Sequence, residues 1–195
     1  AREGKTIMFM RTKHGVDRQV KKLRRAGIHA QGLHGDKGQG ARTRALEGFA
    51  SGETPVLVAT DIAARGIDVD DVSLVVHVDP PAEHKAYLHR AGRTARAGTS
   101  GTVVTLVMDD QSKEVSQLLR KAGVDAPEVK VTPLSESLVT ITGARQPEGA
   151  PLPPPGQSQQ PKRATGSGNR KAGGNRSRGN NRARRSDRSR RSNGR

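Results

Sequence analysis

The chain has 195 residues and a mass of 20.8 kDa, enough for one ordinary domain and an appendage, and it contains no cysteine. Disulfides, zinc–thiolate clusters and thiol nucleophiles are therefore excluded, and no apolar run approaches the ~20 residues of a membrane-spanning helix. Its 35 Lys and Arg against 19 Asp and Glu leave a net charge of +16, unevenly placed: residues 1–145 hold 22 basic and 17 acidic side chains, residues 146–195 hold 13 and 2.

In chain order, Lys5 to Met10 (KTIMFM) is a short apolar run suited to a buried parallel strand. Val16, Val20, Leu23 and Ala26 then recur at helical spacing with Lys and Arg on the other face, and Gly27 ends that helix. Ile28 to Leu33 reads as a second strand. Gln39 to Ala50 reads as an amphipathic helix through Arg42, Ala45, Leu46 and Phe49, closed by Gly52. Pro55 opens the strand Val56 to Ala59, and Leu74 to Val78 forms the next, stopped by Pro80 and Pro81. A helix over Glu83 to Arg90, a strand over Thr102 to Val107 and a helix marked by Val115, Leu118, Leu119 and Ala122 follow. Residues 124–145, with Val129, Val131, Leu138, Val139 and Ile141, are expected to add a closing strand.

Strands alternating with helices of this length specify an α/β fold, a parallel sheet with helices on both faces over residues 1–145. Ligands of such sheets bind beyond the carboxyl ends of the strands, so the polar loops after each strand are where chemistry belongs. From Gln146 the pattern ends. Pro151 and Pro153 to Pro155 make a stiff linker, and the Arg-, Gly-, Asn- and Ser-rich remainder lacks the apolar residues needed to offset its ordering entropy. Residues 146–195 are expected to be a disordered basic tail. Such a tail serves as a solubiliser or, as its blocked cationic charge favours, as a binder of nucleic acid through residues such as Arg184 and Arg185. The six histidines form no familiar metal-ligand spacing. A soluble, cytoplasmic protein with no membrane partner is the expectation, and a chain beginning at Ala1 suits a piece of something longer.

Three post-strand loops stand out. His34-Gly35-Asp36 leads into Gln39 and Arg42. Thr60-Asp61 leads into Arg65-Gly66-Ile67-Asp68. His89-Arg90 leads through Gly92, Arg93 and Arg96 to Gly98. Arg93 and Arg96 are three apart, so a helical turn would send both guanidinium groups to one side, a pairing suited to a multiply charged oxyanion such as phosphate.

These residues resemble the second lobe of a DEAD-box ATP-dependent RNA helicase, over roughly residues 4–123. TIMFMRTKHGVD is similar to motif IV, GLHGDKGQGAR to the following Gly–Q-x-x-R segment, VATDIAARGIDV to motif V and YLHRAGRTARAG to motif VI. The resemblance implies a RecA-like sheet sandwiched by helices. It implies arginine-finger roles for Arg93 and Arg96, a ribose contact for Asp68, and interface roles for Arg65 and its neighbour Gly66. It further implies coupling of His89 and Arg90 to the acidic motif of a first lobe, and RNA-backbone contacts for Thr60, Gly35, Gln39 and Arg42. The implied cofactor is ATP with Mg2+, held mainly by an N-terminal lobe in the same parent chain, and the implied partner is RNA, single-stranded or short duplex. Motif VI commonly reads HRIGRTGR. Here Ala91 and Ala95 stand in place of Ile and Gly, and Ala95 suits only a backbone that does not require positive φ. No GxxxxGK-Ser/Thr and no Asp-Glu-Ala-Asp occurs in the 195 residues, so this lobe alone is expected neither to bind ATP tightly nor to hydrolyse it. The alternative is a stand-alone, non-catalytic RNA-binding or annealing protein.

Overall fold

A computed structural model describes residues 4–155 apart from 68, 70, 97 and 99. Five strands, β1 (Lys5–Phe9), β2 (Ala30–Leu33), β3 (Val56–Ala59), β4 (Val72–His77) and β5 (Thr102–Thr105), form one sheet in the order β2-β3-β1-β4-β5, and every pairing is parallel. The helices are α1 (Lys13–Arg25), α2 (Gln39–Ala50), α3 (Asp61–Ala64), α4 (His84–Ala91), α5 (Ser112–Ala122) and α6 (Glu136–Thr142), with a 3-10 turn at Asp109–Gln111.

Alternation along the strands divides the core between the two faces of the sheet. Ile7, Phe9, Leu57 and Ala59 join Phe49 of α2 in one cluster, whereas Val56 and Val58 join Val16 and Val20 of α1 in the other. Helix α1 starts where the Thr12 hydroxyl accepts the Gly15 amide at 3.0 Å. It lies so close to β2 that a Cβ on Gly32 would stand 3.0 Å from Val16 Cγ1 and 3.3 Å from Val20 Cγ2. Gly32 thus carries a packing demand that its place in a weak strand pattern did not reveal.

The closing strand expected within residues 124–145 is not formed. Residues 136–142 are helical instead: Ser135 stands at the N-cap, Glu136 in the first turn, and Gly143 ends the helix at φ +62°. The Ser135 side chain caps no amide, so the stop at Gly143, where glycine accepts a left-handed backbone, is the local signal for this helix against the strand propensity of Val139, Thr140 and Ile141. Further on, residues 149–153 lie against the end of α1. The Leu152 amide donates to Arg24 O at 2.8 Å, Arg24 Nε donates to Pro153 O, and Gly27, at φ +79°, is so near Gly149 that a Cβ there would stand 2.5 Å from its carbonyl carbon.

His77, at the end of β4, is fully buried between Phe9 and Tyr87, with ring centroids 6.1 and 5.0 Å away and both contacts edge-to-face. Its Nδ1 meets Thr105 Oγ1 at 3.0 Å. Burial, then the nearby Arg90 charge, depresses its pKa to about 3, against a partial pull upward from Asp61. Between that value and the ordinary 6.5, the unfolded chain holds one more proton here than the folded chain. The stabilisation is therefore complete above pH 6.5 and declines by roughly 1.4 kcal/mol per pH unit as the solution is acidified toward pH 3. His77→Asn should flatten this dependence in urea titrations from pH 7 to 3.5; equal acid sensitivity of the two proteins would refute it.

Candidate functional site

All five strands point their carboxyl ends to one edge, and the residues singled out by sequence gather there in two groups. The first surrounds a cavity of about 260 Å³ lined by Phe9, Asp61, Ala64, Arg65, Gly66, Ala86, His89, Arg90 and Arg93. Helix α4, whose Tyr87 faces the core, delivers Arg90 inward and leaves His89 exposed. Arg90 is 3% exposed, and its guanidinium is committed within the lobe. Nε and Nη2 donate to the two Asp61 oxygens at 2.6 and 2.8 Å, Nη1 donates to Asp79 O at 2.7 Å, and the group stands 5.1 Å from the Phe9 ring centroid. A bidentate, buried pair of this kind fixes geometry. Within this lobe Arg90 thus holds α3 and α4 together. Its partner Asp61 was not assigned a role from sequence, because an acid at a helix start is equally explained by the helix dipole.

Arg93 follows the helix, and its Nη1 donates to Ile67 O at 2.8 Å, which ties it to the segment after α3. The helical turn expected to align Arg93 with Arg96 is absent. α4 ends at Ala91, Gly92 caps it, and Arg96 lies outside the cavity lining with its Nε donating to Gly92 O at 2.9 Å. The reversal is completed by Ala95 at φ +56°. A left-handed backbone at a residue with a Cβ costs about 1 kcal/mol, so Ala95 occupies a place that favours glycine. Thr94 secures the turn from the other side, its hydroxyl donating to Val72 O.

The second group lies at the ends of β2 and β3. The Thr60 amide donates to Leu33 O at 3.1 Å, which sets Thr60 beside the loop carrying Gly35. Gly35 and Gln39 are exposed, and Arg42 on α2 extends Nη2 to Arg65 O at 3.4 Å, linking this group to the cavity. Asp68, Arg184 and Arg185 lie outside the described residues. A further cluster escaped sequence reading: Asp17, His34 and Lys37, joined at 3.0–3.2 Å across α1 and the β2–α2 loop. A larger groove of about 790 Å³ beside α5, lined by Arg11, Glu83, Glu114 and Lys121 among others, holds none of the residues singled out by sequence. Among the described residues no three His, Asp or Glu side chains are grouped to hold a metal.

The chain is an α/β lobe with a parallel sheet whose carboxyl edge gathers arginines and open glycine loops. The model of the helicase conserved C-terminal domain matches residues 1–98, and the chain belongs to that family, as the C-terminal lobe of the DEAD-box type. It is 42% identical over 128 residues to the ATP-dependent RNA helicase DBP2 of Debaryomyces hansenii, covering 64% of this chain and 24% of the relative. It is 41% identical over 143 residues to DEAD-box ATP-dependent RNA helicase 30 of Arabidopsis thaliana, covering 72% and 23%. The chain thus spans about a quarter of the length of these curated relatives. Among solved structures, a DEAD box protein from Methanococcus jannaschii superposes with a TM-score of 0.62 at 30% identity over 66% of this chain and 35% of that one. E. coli SrmB, solved bound to the regulator of ribonuclease activity RraA, gives 0.58 at 42% identity over 66% and 75%. The sheet is the RecA-like sheet of that family.

The turn chemistry yields a direct test. Ala95→Gly should raise stability by about 1 kcal/mol, seen as a higher urea midpoint at unchanged slope. A midpoint equal to or below that of the parent protein would contradict the strain at this position.

Proposed function

We propose that this chain is the second lobe of an ATP-dependent RNA helicase, supplying cationic groups to the phosphates of ATP held by a first lobe and gripping RNA backbone beside them. The observation that carries the reading is the cavity joining Arg65, His89 and Arg93, with Arg42 extending from the second group to the Arg65 backbone. Arg90 neutralises Asp61, so the acid within that cavity does not oppose an incoming phosphate.

The residues present fit one side of a triphosphate. They offer donors and positive charge; the sequence has no phosphate-binding loop motif, and among the described residues there is no carboxylate cluster for Mg2+. ATP and Mg2+ therefore belong mainly to the N-terminal lobe of a parent chain, which accords with the quarter-length span of this one. When bound, ATP supplies the phosphoryl group whose transfer to water drives the cycle. Arg93, its guanidinium anchored on Ile67 O, would stabilise the negative charge that grows as that bond breaks, with Arg96 as the second arginine finger and His89 coupling to the first lobe. Asp68 would hold the ribose, with Arg65 and Gly66 closing the interface. Thr60, Gly35, Gln39 and Arg42 would hold sugar and phosphate, contacts that position a strand without reading its sequence. Coupling the two lobes through one edge makes closure on ATP and the grip on RNA a single event, which locally separates short duplexes.

The basic residues 146–195, Arg184 and Arg185 among them, would add sequence-independent RNA affinity in the cytoplasm. The alternative of a stand-alone annealing protein gives no use to Arg65 and Arg93 around a cavity.

In the two-lobe parent protein, Arg93→Ala should lower RNA-stimulated ATP hydrolysis by about 10³-fold while leaving RNA affinity intact. Unchanged turnover would remove the assignment. Ending the chain at residue 155 should weaken RNA binding and flatten the plot of log affinity against log salt by about 0.7 for each phosphate that the tail neutralises. Identical slopes for the two lengths would make the tail a solubiliser alone.

A further inference from the structure

The loop between β2 and α2 carries Gly35 and leads into Gln39 and Arg42, the residues to which the proposed function assigns RNA backbone. By its own composition this loop is loosely specified. A Cβ on Gly35 or Gly38 would meet nothing within 4 Å, and α2 begins at Gly38 with no side-chain cap. Glycines in open space carry a large ordering entropy, so something outside the loop must hold it in one conformation.

That support comes from α1. Asp17 Oδ1 stands 3.2 Å from His34 Nε2 and 3.0 Å from Lys37 Nζ, so a single carboxylate bridges both ends of the turn 34–37. One helical turn earlier, Lys13 Nζ donates to Asp36 at 2.6 Å. The two bridges are not equivalent. Lys13 and Asp36 are both about half exposed, so water screens that pair and it adds little. His34 is 5% exposed, and its other nitrogen, Nδ1, is buried without a hydrogen-bond partner among the described residues. Asp17 is therefore the hydrogen-bond partner seen for a buried ring. By accepting from Nε2, it selects the tautomer with Nε2 protonated and fixes the ring where the loop begins. The Asp17 carboxyl is held below its ordinary range although burial pushes it upward, because the bonds from Lys37 and His34 outweigh that push. Its charged form is the bound form.

Resting on the RNA reading above, we infer that Asp17 is a positioning residue for RNA binding: through His34 and Lys37 it holds the 34–38 loop in the conformation that presents Gly35, Gln39 and Arg42 to the backbone of an RNA strand. Asp17 acts through the loop, its Oδ1 being shared by His34 and Lys37. An acid beside a polyanion site is otherwise unfavourable, and its coupling to two donors explains its place there.

The test is hydrogen exchange on the full chain, with and without a short oligouridylate, because this readout resolves the loop separately from the basic tail. In the parent protein RNA should slow the amides of residues 34–42. Asp17→Asn should speed those amides about tenfold without RNA and abolish their slowing by RNA, while the amides of β1 and β3 stay unchanged. Asp17→Glu, which keeps the charge, should recover at least part of both effects. Imidazole nitrogen shifts should report the Nε2-protonated form of His34 in the parent and a mixture of tautomers in Asp17→Asn. Loop exchange and RNA protection equal to the parent in Asp17→Asn would overturn the inference and leave the RNA reading standing. Faster exchange throughout the strands would also overturn it, since the effect would then be global stability. Absence of RNA protection in the parent itself would overturn the RNA reading, and this inference with it.

Discussion

One buried guanidinium holds the working edge of this lobe together. Arg90 reaches from α4 to both oxygens of Asp61 on α3, to the Asp79 carbonyl after β4 and to the face of Phe9 at the end of β1. Three loops that leave different strands therefore meet at a single planar group with fixed donor directions. Removing a charge from water is costly, and the cost is offset because each of its three nitrogens donates to an oxygen. Arg93 follows three residues later, so its place above the cavity depends on how Arg90 seats the end of α4.

The parallel topology determines what such a group can gather. With all strands running one way, the ends of β1, β3 and β4 are neighbours at one edge, and segments distant in sequence come together there. The two faces of the sheet are packed by α1 on one side and α2 on the other, and both helices begin at that same edge. Core and site are linked in this way: Val16 and Val20 anchor α1 against the sheet, and the first turns of that helix carry the side chains that brace the neighbouring loop.

Much of this was legible in the sequence, for definite physical reasons. Short apolar runs and 3.6-residue periodicity marked all five strands and the helices α1, α2, α4 and α5, because burial imposes those patterns directly. Four ordered motifs marked the edge loops. Less legible were features set by contacts between distant segments. Gly32 is required by the close approach of Val16 and Val20 on α1, which nothing in the strand pattern around it indicates. Val139 and Ile141 suggested a strand, yet residues 136–142 form a helix that Gly143 ends in a left-handed turn. The helical turn expected through Arg93 and Arg96 is not formed, because α4 ends at Ala91 and the backbone turns left-handed at Ala95, a conformation that an alanine does not announce. His34 and Asp17 are separated by 17 positions, and neither helix period nor strand alternation connects them.

The contact of residues 149–153 with the end of α1 also bears on where the lobe ends as a material object. Arg24 is bonded through both its backbone carbonyl and its side chain to that segment, and Gly27 leaves room for Gly149 that a side chain would fill. A proteolytic or engineered boundary drawn at Arg145, where the last regular element has just finished, would strip Arg24 of those partners and uncover the pole of the sheet opposite the loops. A stretch with no regular secondary structure of its own thus acts as a brace on the end of a helix more than a hundred residues before it.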